Sequence, residues 1–472
     1  MDPRTRNALL RALMIGLICL AAYFLATIAG SGDTTKAGLV LLGVLVMLSV
    51  GQQQVLVQSF IFAYIFLIDY FAYSPSRLLN IGFNFYLGDA FIILFLGSTF
   101  IITIIERNHP AFHSPVGITI VLYVTWILIS VVRGIPEYGH SAIGESRFVV
   151  IWMCPYFAVI YGIRNLRQAE SLMKLFLALS LVYIAYSLIW RMSVDLQGDL
   201  EILLRSRLFG ADVAVALASI FVFFLSMLIS GSVTRHKSIV VGLMVICGLL
   251  MPFCARTGWV AMLISTAFVL VAWGGRSRLR NLAFVLFVAL TVAGIIIQLG
   301  LFGPGSRLDP TSEMGLGFVS TDVLHREGVG TSEWRIEGWM RLIRQTVATD
   351  PIFGQAFGGY YDIFDSKFEG VPPHNEWLII FSKMGVVGLL LFAAVILRFY
   401  RAGFQYLRRQ SDTLRIGYMR GFLAVFFAAL VGGAFFEFLP LLWIAAGLQS
   451  VLLDEENLGS KENISPQTGL IE

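Results

Sequence analysis

The sequence predicts an all-α, polytopic integral membrane protein: a bundle of about 12–14 transmembrane helices carrying one large extracytoplasmic loop. Three observations predict it. Hydrophobic residues make up 57% of the 472 and charged residues only 14%, against roughly a quarter charged in soluble domains, and the mean hydropathy is +0.79. Apolar runs near the ~20 residues that a bilayer needs recur along the chain. The basic residues between those runs fall on alternate connections, which is how membrane orientation is encoded.

In chain order, Arg4, Arg6 and Arg11 precede a first apolar run that is too long, and too lacking in a small-residue cleavage site, for a removable signal peptide. It reads as an uncleaved span with a cytoplasmic N-terminus. Further spans are expected at 37–51, 55–71, 88–105, 115–132, 147–163, 172–190, 210–230, 238–255, 257–274, 281–301, 375–397, 416–435 and 438–453. The pair around Gly51 to Gln54 and the pair around Glu437 are the closest-spaced, and merging both gives twelve spans. Arg107, then Arg164, Arg167 and Lys174, then Arg235 and Lys237, then Arg276, Arg278 and Arg280, and finally Arg398 to Arg415 all fall on one side. That side is cytoplasmic by the positive-inside rule. The chain then divides into N-terminal transmembrane helices (1–301), a periplasmic loop (302–373), C-terminal transmembrane helices (374–453) and a cytoplasmic tail (454–472).

The loop is too long for a mere connector. Residues 303–330 are rich in Gly, Ser and Asp, whereas Ser332 to Thr349 places Trp334, Trp339, Met340, Leu342, Ile343 and Val347 apolar at helical spacing with Arg335, Arg341 and Arg344 between them. An aromatic, basic, amphipathic helix of this kind lies in a membrane interface. Asp350-Pro351 stops it, and a glycine-hinged turn follows through Gly354, Gly358 and Gly359.

The loop ends at Pro372-Pro373-His374-Asn375-Glu376, where an apolar run begins. The prolines favour extended backbone, and Asn375 is a good N-cap. His374 thereby sits at the mouth of a span, where the positive end of the helix dipole favours a neutral imidazole that can act as a base. At about 100° per residue, an unbroken helix carries Gly385 and Gly388 to within about 20° and 40° of the His374 stripe, where small residues admit a second helix or a lipid chain. Lys383 falls on the opposite face, with Asp69, Asp89 or Glu437 as candidate partners.

His-Asn, nine residues, Gly, two residues, Gly resembles the histidine motif of the O-antigen ligase and polymerase superfamily of bacterial membrane glycan transferases. Arg335, the Pro351-to-Gly354 segment and His374 follow in that superfamily's order. Ala255-Arg256-Thr257-Gly258 resembles its Ser-Arg-Ser/Thr-Gly turn, with Ala255 in place of the first serine, and Arg205-Ser206-Arg207 resembles a further arginine segment. The resemblance implies an inner-membrane glycosyltransferase with a periplasmic site. It implies a donor glycan carried on undecaprenyl pyrophosphate, and as acceptor lipid A-core for a ligase or a growing glycan for a polymerase. Arg256, Arg335 and Arg207 would hold the pyrophosphate, since a guanidinium fork suits phosphate oxygens. His374 would take the acceptor proton, and Asn375, Gly385 and Gly388 would support it. Periplasmic arginines also meet lipid headgroups, and that reading stands beside the pyrophosphate one for Arg205, Arg207 and Arg341.

No Asp-x-Asp metal signature is present, so no metal and no cofactor is expected. The four cysteines, Cys19, Cys154, Cys247 and Cys254, fall inside apolar runs and imply neither disulfides nor a metal site. No nucleic-acid signature is present. A flippase or transporter of lipid-linked glycans is the alternative from another class, and would be expected to show repeat symmetry and paired broken helices, neither of which the sequence displays.

The topology is open to a direct check. In a cysteine-free background, Ser320→Cys should react with a membrane-impermeant thiol reagent in intact cells and Ser411→Cys should not. Labelling of the second would invert the assignment.

Overall fold

The computed structural model describes residues 77–80, 84–86, 115–175, 211–233, 237–251, 254, 256–275, 332–359, 373, 375–435 and 440–462. Apart from turns and the loop 350–359, those residues are helical except for one antiparallel ribbon, β1 (Arg77–Asn80) and β2 (Asn84–Tyr86), with Asn80 opposite Asn84. The ribbon occupies what an all-α reading leaves as the connector between two expected spans. The helices are α1 (Pro115–Tyr138), α2 (His140–Gly162), α3 (166–175), α4 (Ala211–Ile229), α5 (Lys237–Leu250), α6 (Arg256–Trp273), α7 (Ser332–Thr349), α8 (Glu376–Arg409), α9 (Thr413–Gly433) and α10 (Pro440–Glu462). The spans expected before residue 106 and at 281–301 lie outside the described residues.

Among the described residues, the helices that contain 116–138, 376–409 and 413–433 are long and apolar enough to cross a membrane. Their outward faces are apolar as well. Leu122, Leu128, Ile129 and Val132 are exposed on α1, Leu263 and Val271 on α6, and Leu390 and Leu397 on α8. A face of large aliphatic side chains on both the inside and the outside of a helix is what a lipid solvent permits and water does not.

Local chemistry sets the ends of these helices. Gly139 takes a positive φ of 57° and its N–H reaches the Ile135 carbonyl at 2.8 Å, closing α1 as a glycine does at a helix C-terminus. Asp412 caps α9 through the Leu414 N–H at 2.9 Å. Arg408 and Arg409 occupy the last turn of α8, where the dipole favours cations.

The chain gathers into two compact units. In the smaller, residues 147–181 and 447–472 pack together: a Cβ on Gly447 would strike Val159, so α10 and α2 meet at a glycine, and Glu455 accepts the Leu166 N–H at 3.2 Å. In the larger, α4, α6 and α9 form the centre. Gly421 admits the Phe223 ring, Gly417 admits Ser232 and Met227, and a Cβ on Gly258 would meet Ala214. Close helix approach at small residues is the ordinary packing device where apolar burial does not itself favour association. Stacked rings complete it, Phe268 on Phe427 at 4.3 Å and Phe399 on Phe426 at 3.8 Å.

These contacts run α9 antiparallel to α4, and they put the N-termini of α4 and α6 and the C-terminus of α9 at one end. At that end Gly433 lies against the Glu376 side chain.

The largest departure from a simple span is in α8. Trp377 and Phe392 are fifteen residues apart, which a straight helix turns into about 22 Å, yet their rings meet edge to face at 5.1 Å. The chain doubles back at Gly385, whose φ of 64° and ψ of −163° lie in a region open essentially to glycine alone. Glu376–Met384 is therefore a short returning arm, and the 24 residues Val386–Arg409, about 36 Å long, form the crossing segment.

Gly385→Ala combines that backbone penalty with a Cβ driven into the Ile352 carbonyl, and should cost about 2–4 kcal/mol. Gly144, helical with open space around its Cα, is the control: Gly144→Ala should be neutral or stabilising by about 0.5–1 kcal/mol. Thermal melts of the two purified variants give the comparison, and an unchanged melting temperature for Gly385→Ala would contradict the fold-back.

Candidate functional site

Breaking α8 at Gly385 frees backbone groups in a buried place, and each must find another partner. Ser382, Lys383 and Met384 lose their helical acceptor role, and three donors replace it: the Gln355 N–H on the Ser382 carbonyl at 2.7 Å, the Ser130 hydroxyl on Lys383 at 2.7 Å, and the Trp126 indole on Met384 at 3.2 Å. On the other side, the Val386 and Val387 amides donate to the Pro351 and Ile352 carbonyls at 2.9 and 3.2 Å. The loop 350–359 thus acts as a backbone partner wedged into the break. It must approach closely to do so: Gly354 (φ 74°) has no room for a Cβ against the backbone of Lys383 to Gly385.

Two ion pairs hold the loop in place. Arg133 on α1 donates to the Phe353 carbonyl at 2.8 Å and to Asp350 at 3.0 Å, and its guanidinium covers the Phe353 ring at 5.4 Å. Lys383, 1% exposed, pairs with Glu145 of α2 at 3.0 Å and donates to the Gly359 carbonyl. Glu145 accepts the Gly358 N–H at 2.5 Å with its other oxygen. One carboxylate therefore receives both a buried ammonium and a loop amide. The partners expected for Lys383 were Asp69, Asp89 or Glu437, all outside the described residues; its observed partner is Glu145. No local pattern ties two residues that far apart in the chain.

His374 lies outside the described residues, as does Arg207. Asn375 is the N-cap of α8, its side-chain oxygen accepting the Leu378 N–H at 3.2 Å. Arg256 is the first residue of α6, and Arg335 lies in the first turn of α7. The Trp339 indole, one turn further along α7, donates to the Pro373 carbonyl at 2.7 Å. That bond docks the helix bearing Arg335 onto the residue before His374. Glu376 against Gly433 and Gly258 against Ala214 bring the start of α8 to the same end of the bundle as the start of α6.

The expected stripe supposes an unbroken helix, and α8 is broken at Gly385 (φ 64°, ψ −163°), so Gly385 and Gly388 do not continue a face of its first turn. Gly385 is the hinge, and Gly388 leaves room for the Met384 and Ile380 side chains of the returning arm. The small residues admit the protein's own loop and arm rather than a second helix or a lipid chain.

The sequence reading missed Arg133 and Glu145. The available signal was a pair of charges, on or beside predicted spans, on the side opposite the basic loops. Glu376, which follows the motif histidine by two residues in the sequence, is buried in the structure. Its carboxyl is 1% exposed, and its Oε1 has no hydrogen-bond partner.

No protein-family model matches the chain, and no curated protein matches it.

Removing one member of the Lys383–Glu145 pair leaves the other uncompensated. Lys383→Met should lose about 2–3 kcal/mol, the partial exposure of Glu145 limiting the figure. Adding Glu145→Gln, which keeps an acceptor for the Gly358 amide, should restore at least half of the lost stability. Strictly additive losses in the double variant would mean that the two side chains are not coupled.

Proposed function

We propose that the protein is a membrane glycosyltransferase of the O-antigen ligase type, acting at the periplasmic face of a bacterial inner membrane on glycans carried by undecaprenyl pyrophosphate. The reading rests first on the motif that runs from Arg335 to Gly388. The observation that carries it is the docking of α7 through Trp339 onto Pro373, because it sets an arginine-bearing helix beside the residue that precedes the motif histidine. Arg256 at the N-terminus of α6 belongs to the same end of the bundle as the start of α8, which supports the reading.

On this reading His374 accepts the proton of the acceptor hydroxyl as that oxygen attacks the anomeric carbon. The C–O bond to pyrophosphate breaks, the configuration inverts, and the lipid pyrophosphate leaves. Arg256, Arg335 and Arg207 bind the pyrophosphate and offset the charge that develops on it. The donor is already activated, so neither a nucleotide nor a covalent intermediate is required. A polymerase of repeat units would use the same chemistry with a different acceptor.

One observation favours a second reading, a transporter of lipid-linked glycans. The broken α8, with a buried ion pair beside the break, is a feature that transporters share. His374 separates the two, since a base contributes roughly 10²- to 10⁴-fold in rate. Purified His374→Gln, given a lipid-pyrophosphate glycan donor, should bind donor but lose at least a hundredfold in transfer. Near wild-type turnover would remove His374 as the base. A wild-type protein that moves donor between leaflets without transferring it would establish the second reading.

A further inference from the structure

One arginine inside the larger unit faces no carboxylate. Arg420 falls in the span expected at 416–435, about 10 Å into α9, where an arginine is costly unless something pairs with it. Its Nη1 donates to the Ser230 hydroxyl at 3.2 Å, just past the C-terminus of α4, and its guanidinium lies 6.0 Å from the ring of Trp273, the last residue of α6. Nε is buried and makes no hydrogen bond. Among the described residues no acid pairs with it; Asp412, at the start of the same helix, pairs with Arg415 at 3.6 Å.

The surroundings are fixed and open. The Ser232 hydroxyl donates to the Thr413 carbonyl at 2.8 Å, and Gly417 admits Ser232 against the α9 backbone, so the end of α4 and the start of α9 form one surface. Helical side chains lean toward the N-terminus, which carries the Arg420 head toward that surface. Arg420, Ser230 and Trp273 are half-buried, while Gly231 and Gly275 beside them are exposed. The cation is recessed but reachable from outside.

Its chemistry selects the ligand. A guanidinium fork matches an oxyanion, and the neighbouring indole can only donate. A soluble anion would have to leave water to reach this depth, whereas a lipid phosphate already lies between water and hydrocarbon, at the level where tryptophans collect. The end of α9 concerned is that of the basic loops. On the expected orientation it faces the cytoplasmic leaflet, where basic pockets between helices suit anionic headgroups.

We propose that Arg420, Ser230 and Trp273 form a binding site for the phosphate of an anionic phospholipid where α4, α6 and α9 converge. The lipid supplies the counter-charge that the bundle does not. The site lies at the opposite end of α9 from Gly433 and Glu376, so it is independent of the proposed reaction.

The test uses the full-length protein, delipidated in a neutral detergent, and follows its melting temperature as phosphatidylglycerol, phosphatidylcholine or inorganic phosphate is added. Phosphatidylglycerol should stabilise the wild type at lower concentration than phosphatidylcholine, and inorganic phosphate should not stabilise it. Arg420→Gln should need about tenfold more phosphatidylglycerol for the same effect, whereas Arg415→Gln, which removes an already paired guanidinium, should titrate as the wild type does. If Arg420→Gln does not fold, Arg420→Lys is read in its place: it keeps the charge, loses the fork and should shift the titration in the same direction. An unchanged titration in the Arg420 variant, or no preference for phosphatidylglycerol in the wild type, overturns the site and leaves Arg420 as a cation offsetting the C-terminal ends of α4 and α6. Stabilisation by inorganic phosphate that the Arg420 variant loses upholds a phosphate site but overturns its lipid source.

Discussion

The structure depends on replacing the hydrogen bonds that α8 gives up at Gly385. A helix can turn back on itself in a buried place only if every freed amide and carbonyl finds another partner, and here five are supplied from two directions. The loop 350–359 provides three, from the Gln355 amide and the Pro351 and Ile352 carbonyls. Ser130 and Trp126 of α1 provide the other two. Each is worth only about 1 kcal/mol net, but leaving any of them unmade costs more than making it gains. The break and the loop therefore stabilise each other: neither conformation is favourable alone.

That mutual dependence extends to the rest of the candidate site. The loop continues α7, and α7 reaches Pro373 through Trp339, so the residues flanking His374 are fixed from both directions. Asn375 and the returning arm fix them from the C-terminal side, and α7 fixes them from the loop side. The charges Arg133, Asp350, Glu145 and Lys383 lie around the break rather than at the mouth of the helix. They act on the site through the loop they hold. On the proposed function this separates two kinds of residue: arginines and a histidine that face substrate, and an ion-paired scaffold that positions them.

Much of this was legible in the sequence at the level of elements. The amphipathic spacing from Trp334 to Val347, the Asp350-Pro351 stop and the Asn375 cap each encode local structure, and α7 and the start of α8 follow them. Composition alone marks the apolar helices. What remained hidden is long-range. Gly385 within an apolar run reads as an ordinary small residue of a span, because periodicity carries no record of φ. The pairing of Lys383 with Glu145, and of Trp126 with Met384, links residues more than two hundred positions apart and leaves no local pattern. Helix α8 also runs on to Arg409, 34 residues in all, past the end of the 375–397 span, because the basic residues beyond Leu397 read as a loop and not as a continuing helix.

The most direct test of the doubled-back α8 is a distance. In a background without native cysteines, Trp377→Cys and Phe392→Cys should be joined by a short bis-maleimide cross-linker in membranes, because the fold-back brings the two side chains into contact. A continuous helix would hold them about 22 Å apart. The account predicts efficient cross-linking within one chain, abolished by Gly385→Ala. Failure to cross-link while the protein remains folded would contradict it.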